Sequence, residues 1–231
     1  MKRVLVFGAH GSIGNYIFTQ FANEKQQYDV IGTTSNNEKT SDTIIHVTND
    51  FLENLSPVTN IDIIIWAQGH NFNDNIENFD KNNFQTMMDG NVSFIVNTMN
   101  YLLLHKNIND NAKMVIISSI WENFSRENKL SYSISKAALS GLVKNVSFDL
   151  SKKNILINNV LPGVIDNEMS RKTLSEEQIN YIKNYFHFSR LVTLDDVFRT
   201  AKFLVVENTG ITGQSISVDL GFTSIRKYNI I

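Results

Sequence analysis

Seven short apolar runs punctuate the chain, at Val4–Phe7, Val30–Gly32, Ile44–Val47, Ile61–Trp66, Met114–Ser118, Ile155–Leu161 and Ser215–Val218, and several are apolar at successive positions. A strand with one wet face alternates apolar and polar residues, whereas a strand apolar throughout is covered on both faces. Between most of the runs lie stretches of helical period, at 13–25, 79–106, 131–152, 175–184 and 194–206. Strand and helix in repeated alternation predict an α/β fold, a doubly wound parallel sheet with helices on both faces. No linker or internal repeat divides the 231 residues, so the chain reads as a single domain over 1–231.

The first strand runs into "GAHGSIGNYIF", with Gly8, Gly11 and Gly14 spaced G-x-x-G-x-x-G at the start of a helix. Glycines there let the backbone turn sharply and approach a pyrophosphate, whose charge meets free N–H groups and the positive helix end. This strand, turn and helix make the sheet Rossmann-like and predict dinucleotide binding by Gly8, Gly11, Ser12, Ile13 and Gly14, with His10 either touching phosphate or adenine or, equally, a solvent-facing turn residue. A dinucleotide site usually places a carboxylate at the end of the second strand to hold ribose hydroxyls. Here that position reads Thr33, Thr34, Ser35, Asn36, with Lys39 the nearest cation. Hydroxyls and amides without a carboxylate favour NADP over NAD.

Composition excludes several other chemistries. The chain has no cysteine, hence no disulfide, thiolate nucleophile or cysteine metal site. Its five histidines are scattered, without a pair at ligand spacing beside a carboxylate, so no metal is expected. Twenty-one basic residues against 23 acidic ones, with no run of like charge, argue against a nucleic-acid or membrane partner. The run Val4–Phe7 is too short for a signal-peptide core, and no stretch approaches the roughly 20 apolar residues of a membrane span. A cytoplasmic protein is expected.

The segment "MVIISSIWENFSRENKLSYSISK" sets Ser119 at a strand end and Tyr132 four positions ahead of Lys136 on the next helix, with Ser131 the expected helix cap. A lone Tyr-x-x-x-Lys is usually helix packing; its order after the glycine turn, "AQG" at 67–69 and Asn91 gives it meaning. At this point the chain resembles the short-chain dehydrogenase/reductase family nearly end to end. "NNVLPGVIDNEM" is similar to the family's Pro-Gly segment beside nicotinamide, and "ITGQSISVDLG" to its closing segment. The resemblance implies Asn91, Ser119, Tyr132 and Lys136 as catalytic residues. It implies Val47, Ala67, Gln68, Gly69, Pro162, Gly163 and Ile165, with Tyr132 and Lys136, as further cofactor contacts.

The implied reaction moves a hydride between nicotinamide and a carbonyl carbon while Tyr132 exchanges a proton with the oxygen. An ordinary tyrosine titrates near 10, so Lys136 is expected to lower the phenol and bind the nicotinamide ribose, with Ser119 holding the substrate oxygen. Asn91 is expected to position water and helix backbone behind the lysine. Three departures stand out: His46 where an aspartate often meets adenine, Trp66-Ala67-Gln68 for Asn-Asn-Ala, and Asn167 for a threonine after Pro-Gly. The glycine spacing is nearer the family's sugar-nucleotide-modifying branch, the length nearer its simple reductases.

A segment near 164–192 is expected to cover the substrate, with Tyr185, Phe186 and Phe188 as a lid or, equally, as packing or a subunit contact. Phe94, Val96 and Tyr101 are expected in the core or in a homodimer or homotetramer interface. The main reading is a carbonyl/alcohol oxidoreductase acting on a small, partly apolar molecule. Its rivals are a 3-oxoacyl-thioester ketoreductase, docking an acidic carrier on Lys129, Arg171 and Lys172, a sugar-modifying reductase, and a cofactor-binding regulator without chemistry.

Overall fold

The computed structural model describes residues 1–165, 167, 170–171, 174–185 and 188–225. Seven strands, Lys2–Phe7 (β1), Tyr28–Thr34 (β2), Ile44–His46 (β3), Ile61–Trp66 (β4), Ile108–Ile117 (β5), Leu156–Pro162 (β6) and Ser215–Val218 (β7), form one sheet in the order β3-β2-β1-β4-β5-β6-β7. Every pairing is parallel. The helices are Ser12–Asn23 (α1), Lys81–Met88 (α2), Phe94–Leu104 (α3), Leu130–Asp149 (α4), Glu176–Tyr185 (α5) and Leu194–Val206 (α6). None among the described residues is long and apolar enough to cross a membrane.

Successive apolar residues in the strands feed two cores. Leu5, Ile64, Met114 and Ile116 pack with Met99 of α3 and Leu139 of α4 on one face. Val4, Val6, Ile63, Ile65 and Val115 pack with Ile17 of α1 and Val197 of α6 on the other. From β1 the chain winds outward to β2 and β3 on one side, and from β3 crosses to β4 on the other, so the strand order reverses between β1 and β4. A crevice opens at the carboxyl ends of strands at such a point.

Two expected elements differ. The single helix over 79–106 is instead α2 and α3 joined by a π turn, Asp89–Ser93. The wider turn adds a residue to the helical register and brings Asn91 fully inside. Gly90 permits it, because a Cβ there would stand 2.3 Å from the His70 ring. Strand β5 begins at Ile108, six residues before the apolar run, since polar "NDNAK" extends the ladder through an irregular register against β4.

Candidate active site

The glycine turn is tight at two places. Gly8 has φ +79 and a Cβ there would lie 2.8 Å from the Gln68 nitrogen; a Cβ on Gly14 would lie 2.2 Å from the Gly8 carbonyl oxygen. Helix α1 is capped by Gly11 with no side-chain cap and no acid in its first turn, so its positive end stays open to an anion. Above it lies a cleft of about 550 Å³. Its walls hold Gly8, His10, Gly11, Ser12 and Ile13, then Thr33, Thr34, Ser35 and Val47, then Ala67, Gln68 and Gly69, and finally Tyr132 and Lys136. Gly14 lies under the turn. Pro162, Gly163 and Ile165 border a second hollow of about 100 Å³, with Ser119. Ile13, Ser118, Tyr132 and Asn167 border both, so the two spaces meet at the tyrosine.

The groups after β2 are partly spent within the chain. The Thr34 hydroxyl accepts from the Asn36 amide at 3.1 Å, and Asn36 Oδ1 accepts from the Glu38 amide at 2.9 Å. His10 Nε2 sits 2.9 Å from the Lys39 carbonyl, which fixes the loop beside the glycine turn. Ser35 is exposed on the cleft wall. Trp66 faces the core, stacked on Phe7 with centroids 5.5 Å apart and donating to Thr98 Oγ1 at 3.0 Å. The Gln68 side-chain amide is buried at the cleft with neither its nitrogen nor its oxygen hydrogen-bonded.

At the meeting point the Tyr132 hydroxyl and the Ser119 side chain come together, and Ser119 favours the ionised phenol. Ser119 holds its own place by capping the turn Ile120–Glu122, accepting from the Trp121 amide at 3.3 Å. Lys136 donates to the Ile117 carbonyl at 3.2 Å and stands 5.7 Å from the Tyr132 ring centroid. Burial draws Lys136 down to about 8, opposed by the Glu122 carboxylate. The lowering expected from the lysine is not what sets the phenol: burial pushes Tyr132 up to about 12, and the opposing pull comes from Ser119. The tyrosine therefore holds its proton, which suits an acid donating to a developing alkoxide.

Asn91 is brought to this site as expected, with more specific work. Its Oδ1 accepts from the His70 amide at 2.7 Å, and its Nδ2 donates to the His70 carbonyl at 3.0 Å and to Ser135 Oγ at 2.9 Å. It ties the loop after β4 to α4.

Ser131 is not the helix cap. Helix α4 starts at Leu130, and Asp74, from the loop after β4, accepts from the Ser131 amide at 3.0 Å and from its hydroxyl. Lys129, expected on a docking surface, is 3 % exposed and donates to Asn71 and Asn73. Arg171 is exposed, and Lys172 lies outside the described residues.

Residues that sequence reasoning missed sit in "WENFSRENK". Glu122 is buried behind the lysine, accepting from Asn159 Nδ2 at 3.0 Å and from the Ser215 hydroxyl, and burial pushes its carboxyl up. Trp121 and Arg126 border both the small hollow and a chamber of about 570 Å³. Phe124, Tyr181, Ile182 and Phe222 supply the chamber's apolar walls. Of the expected lid aromatics, Phe188 is 57 % exposed on a separate crevice, and Phe186 and the Tyr185 side chain lie outside the described residues. Phe94 and Tyr101 pack on the core while Val96 is exposed.

A family model described as enoyl-(acyl carrier protein) reductase matches residues 39–223. An L-rhamnose 1-dehydrogenase (NADP(+)) of Thermoplasma acidophilum is 31% identical over 113 residues, 48% of this chain and 44% of that protein. A 3-oxoacyl-[acyl-carrier-protein] reductase of Buchnera aphidicola is 29% identical over 114 residues, 49% and 46% of the two chains. The matched stretch thus spans under half the length of these curated relatives. A short chain dehydrogenase family protein from Francisella tularensis superposes with a TM-score of 0.87 at 21% identity, over 97% of this chain and 100% of that one. The fold, the glycine turn and these matches together make the chain a member of the short-chain dehydrogenase/reductase family.

Proposed function

We propose that the protein is an NADP(H)-dependent oxidoreductase that interconverts a carbonyl and an alcohol. The observation that carries this reading is the juxtaposition of Tyr132 and Ser119, backed by Lys136, at the junction of the cleft and the substrate hollow. The cleft suits a dinucleotide: the α1 end is open, a Cβ on Gly14 has no room, and the Gln68 amide waits buried at its wall. The lack of a carboxylate at the end of β2 and the NADP(+) specificity in a relative's name support NADP.

When bound, the nicotinamide supplies a hydride from its C4 to the carbonyl carbon. Ser119 orients the carbonyl oxygen, and Tyr132 gives it a proton as charge develops. Lys136, held by the Ile117 carbonyl, stabilises the phenolate left behind. Asn91 keeps Tyr132 and Lys136 in register by fixing the first turns of α4 against the loop at His70.

This reading includes a single domain, a segment near 164–192 over the substrate, a homodimer or homotetramer, and a cytoplasmic location. Burial of Lys129 weakens the carrier-docking reading, since it removes one of its three cations. A regulator without chemistry has no physical need for the four-residue set. The test is NADPH and NADH oxidation against ketones, 3-oxoacyl thioesters and keto sugars. Turnover preferring NADPH is expected. Strong preference for NADH would overturn the cofactor assignment, and nucleotide binding without turnover on any of them would favour the regulator.

A further inference from the structure

The substrate hollow contains a cation that carbonyl reduction does not require. Lys129 Nζ donates to Asn71 Oδ1 at 2.7 Å and Asn73 Oδ1 at 2.6 Å, and stands 5.5 Å from the Tyr132 ring centroid. Both acceptors are neutral amides. Asp74 attracts it through space, less strongly than Arg126 repels it, and makes no hydrogen bond to it, its carboxylate being turned to Ser131. Arg126 borders the same hollow, 5.8 Å from the Trp121 ring centroid, and its charge adds to burial in drawing Lys129 down to about 8.

Among the described residues, no carboxylate side chain borders this hollow. A buried ammonium held by amides, with a second cation outweighing its distant carboxylate, gains from a further counter-charge, and the open space lies on the substrate side. At about 100 Å³, the hollow holds roughly three waters' worth of atoms, enough for a carboxyl and a carbonyl group. Anything longer must pass Trp121, Val164 and Leu174 into the apolar chamber they share, whose described lining has one carboxylate, the exposed Glu177.

Resting on the carbonyl-reductase reading, we propose that the substrate is an oxo acid whose carboxylate meets Lys129, with Arg126 beside it, while its apolar tail fills the chamber. The carbonyl carbon gains the hydride and the oxygen gains the Tyr132 proton, giving a hydroxy acid. NADPH becomes NADP⁺, the carboxylate is unchanged, and Tyr132 regains its proton from solvent.

The probes are 2-oxooctanoate, its methyl ester and 2-octanone, assayed by NADPH oxidation with the wild-type enzyme, Lys129→Met and Lys129→Arg. The wild type is expected to prefer the acid over the ester, and Lys129→Met to cut that acid-to-ester ratio in kcat/KM by at least about 30-fold. Lys129→Arg, which keeps the charge, is expected to retain most of the preference. Equal use of acid and ester by the wild type, or a Lys129→Met loss shared equally by all three probes, would overturn the inference. Calorimetric binding of 2-oxooctanoate to the NADP⁺ complex separates the two levels of argument. Binding that Lys129→Met weakens at least about tenfold, without turnover, supports the anion site and contradicts the reductase reading. Absence of binding contradicts the anion site whatever happens to neutral ketones.

Discussion

The side-chain amide of Asn91 donates to the Ser135 hydroxyl at 2.9 Å, and Ser135 donates in turn to the Tyr132 carbonyl at 2.8 Å. A residue in a π turn thus sets the height of the proposed acid on its helix. Asn91→Ala leaves three hydrogen bonds unmade, one buried and two partly buried, and stranding a buried partner costs about 1–3 kcal/mol. The expected result is a melting temperature lower by about 5–15 °C and a kcat reduced more than KM is raised. A shift under about 2 °C would show that the network is slack.

Asp74, and not Ser131, is the group that starts α4. Asp74→Ala strands a backbone N–H and a hydroxyl on Ser131, which is fully buried, and is expected to cost about 2–4 kcal/mol. Ser131→Ala keeps the backbone bond and is expected to cost less than half as much. Thermal unfolding of the two variants checks the order; the reverse order would restore Ser131 as the cap.

Much of this was legible in the chain. Strands apolar at every position betray a sheet covered twice, and the Gly8 to Gly14 turn names its own ligand chemistry. What stayed hidden depends on partners distant in sequence. Asp74 lies 57 positions from the Ser131 it caps. Lys129 reads as a cation for docking a carrier until Asn71 and Asn73 fold over it. The break at Asp89–Ser93 leaves no sign in a smoothly periodic segment, because a π turn changes register and not polarity.

Two glycines separate cofactor geometry from ordinary helix energetics. Gly14→Ala forces a Cβ to 2.2 Å from a backbone oxygen that cannot retreat without moving the Gly8 turn. NADPH affinity is expected to fall at least about tenfold. Gly141, inside α4 with nothing within 4 Å of its would-be Cβ, is the contrast: Gly141→Ala is expected to raise the melting temperature by about 1–4 °C and leave NADPH affinity unchanged. Nucleotide titrations and melts on both variants check the pair.

The pH profile follows from Lys136. Burial draws it down to about 8, so it is charged below that pH and neutral above it. Because Tyr132 stays protonated to about 12, the loss of the lysine charge comes first on raising pH. For a neutral ketone, kcat/KM is expected to fall as pH rises through about 8. Lys129 titrates in the same range, and the limb is expected to persist in Lys129→Met. A profile flat well above that pH would remove Lys136 from the proton path.

Tyr132→Phe deletes a single oxygen and keeps the ring that lies near both lysines. NADPH oxidation with the best carbonyl substrate, measured beside NADPH binding by fluorescence, tests the proposed chemistry most directly. The expected result is turnover lower by at least about 10²–10⁴-fold with nucleotide binding intact. Turnover within a few-fold of the wild type would contradict the assignment of Tyr132 as the proton donor and, with it, the reaction proposed for this site.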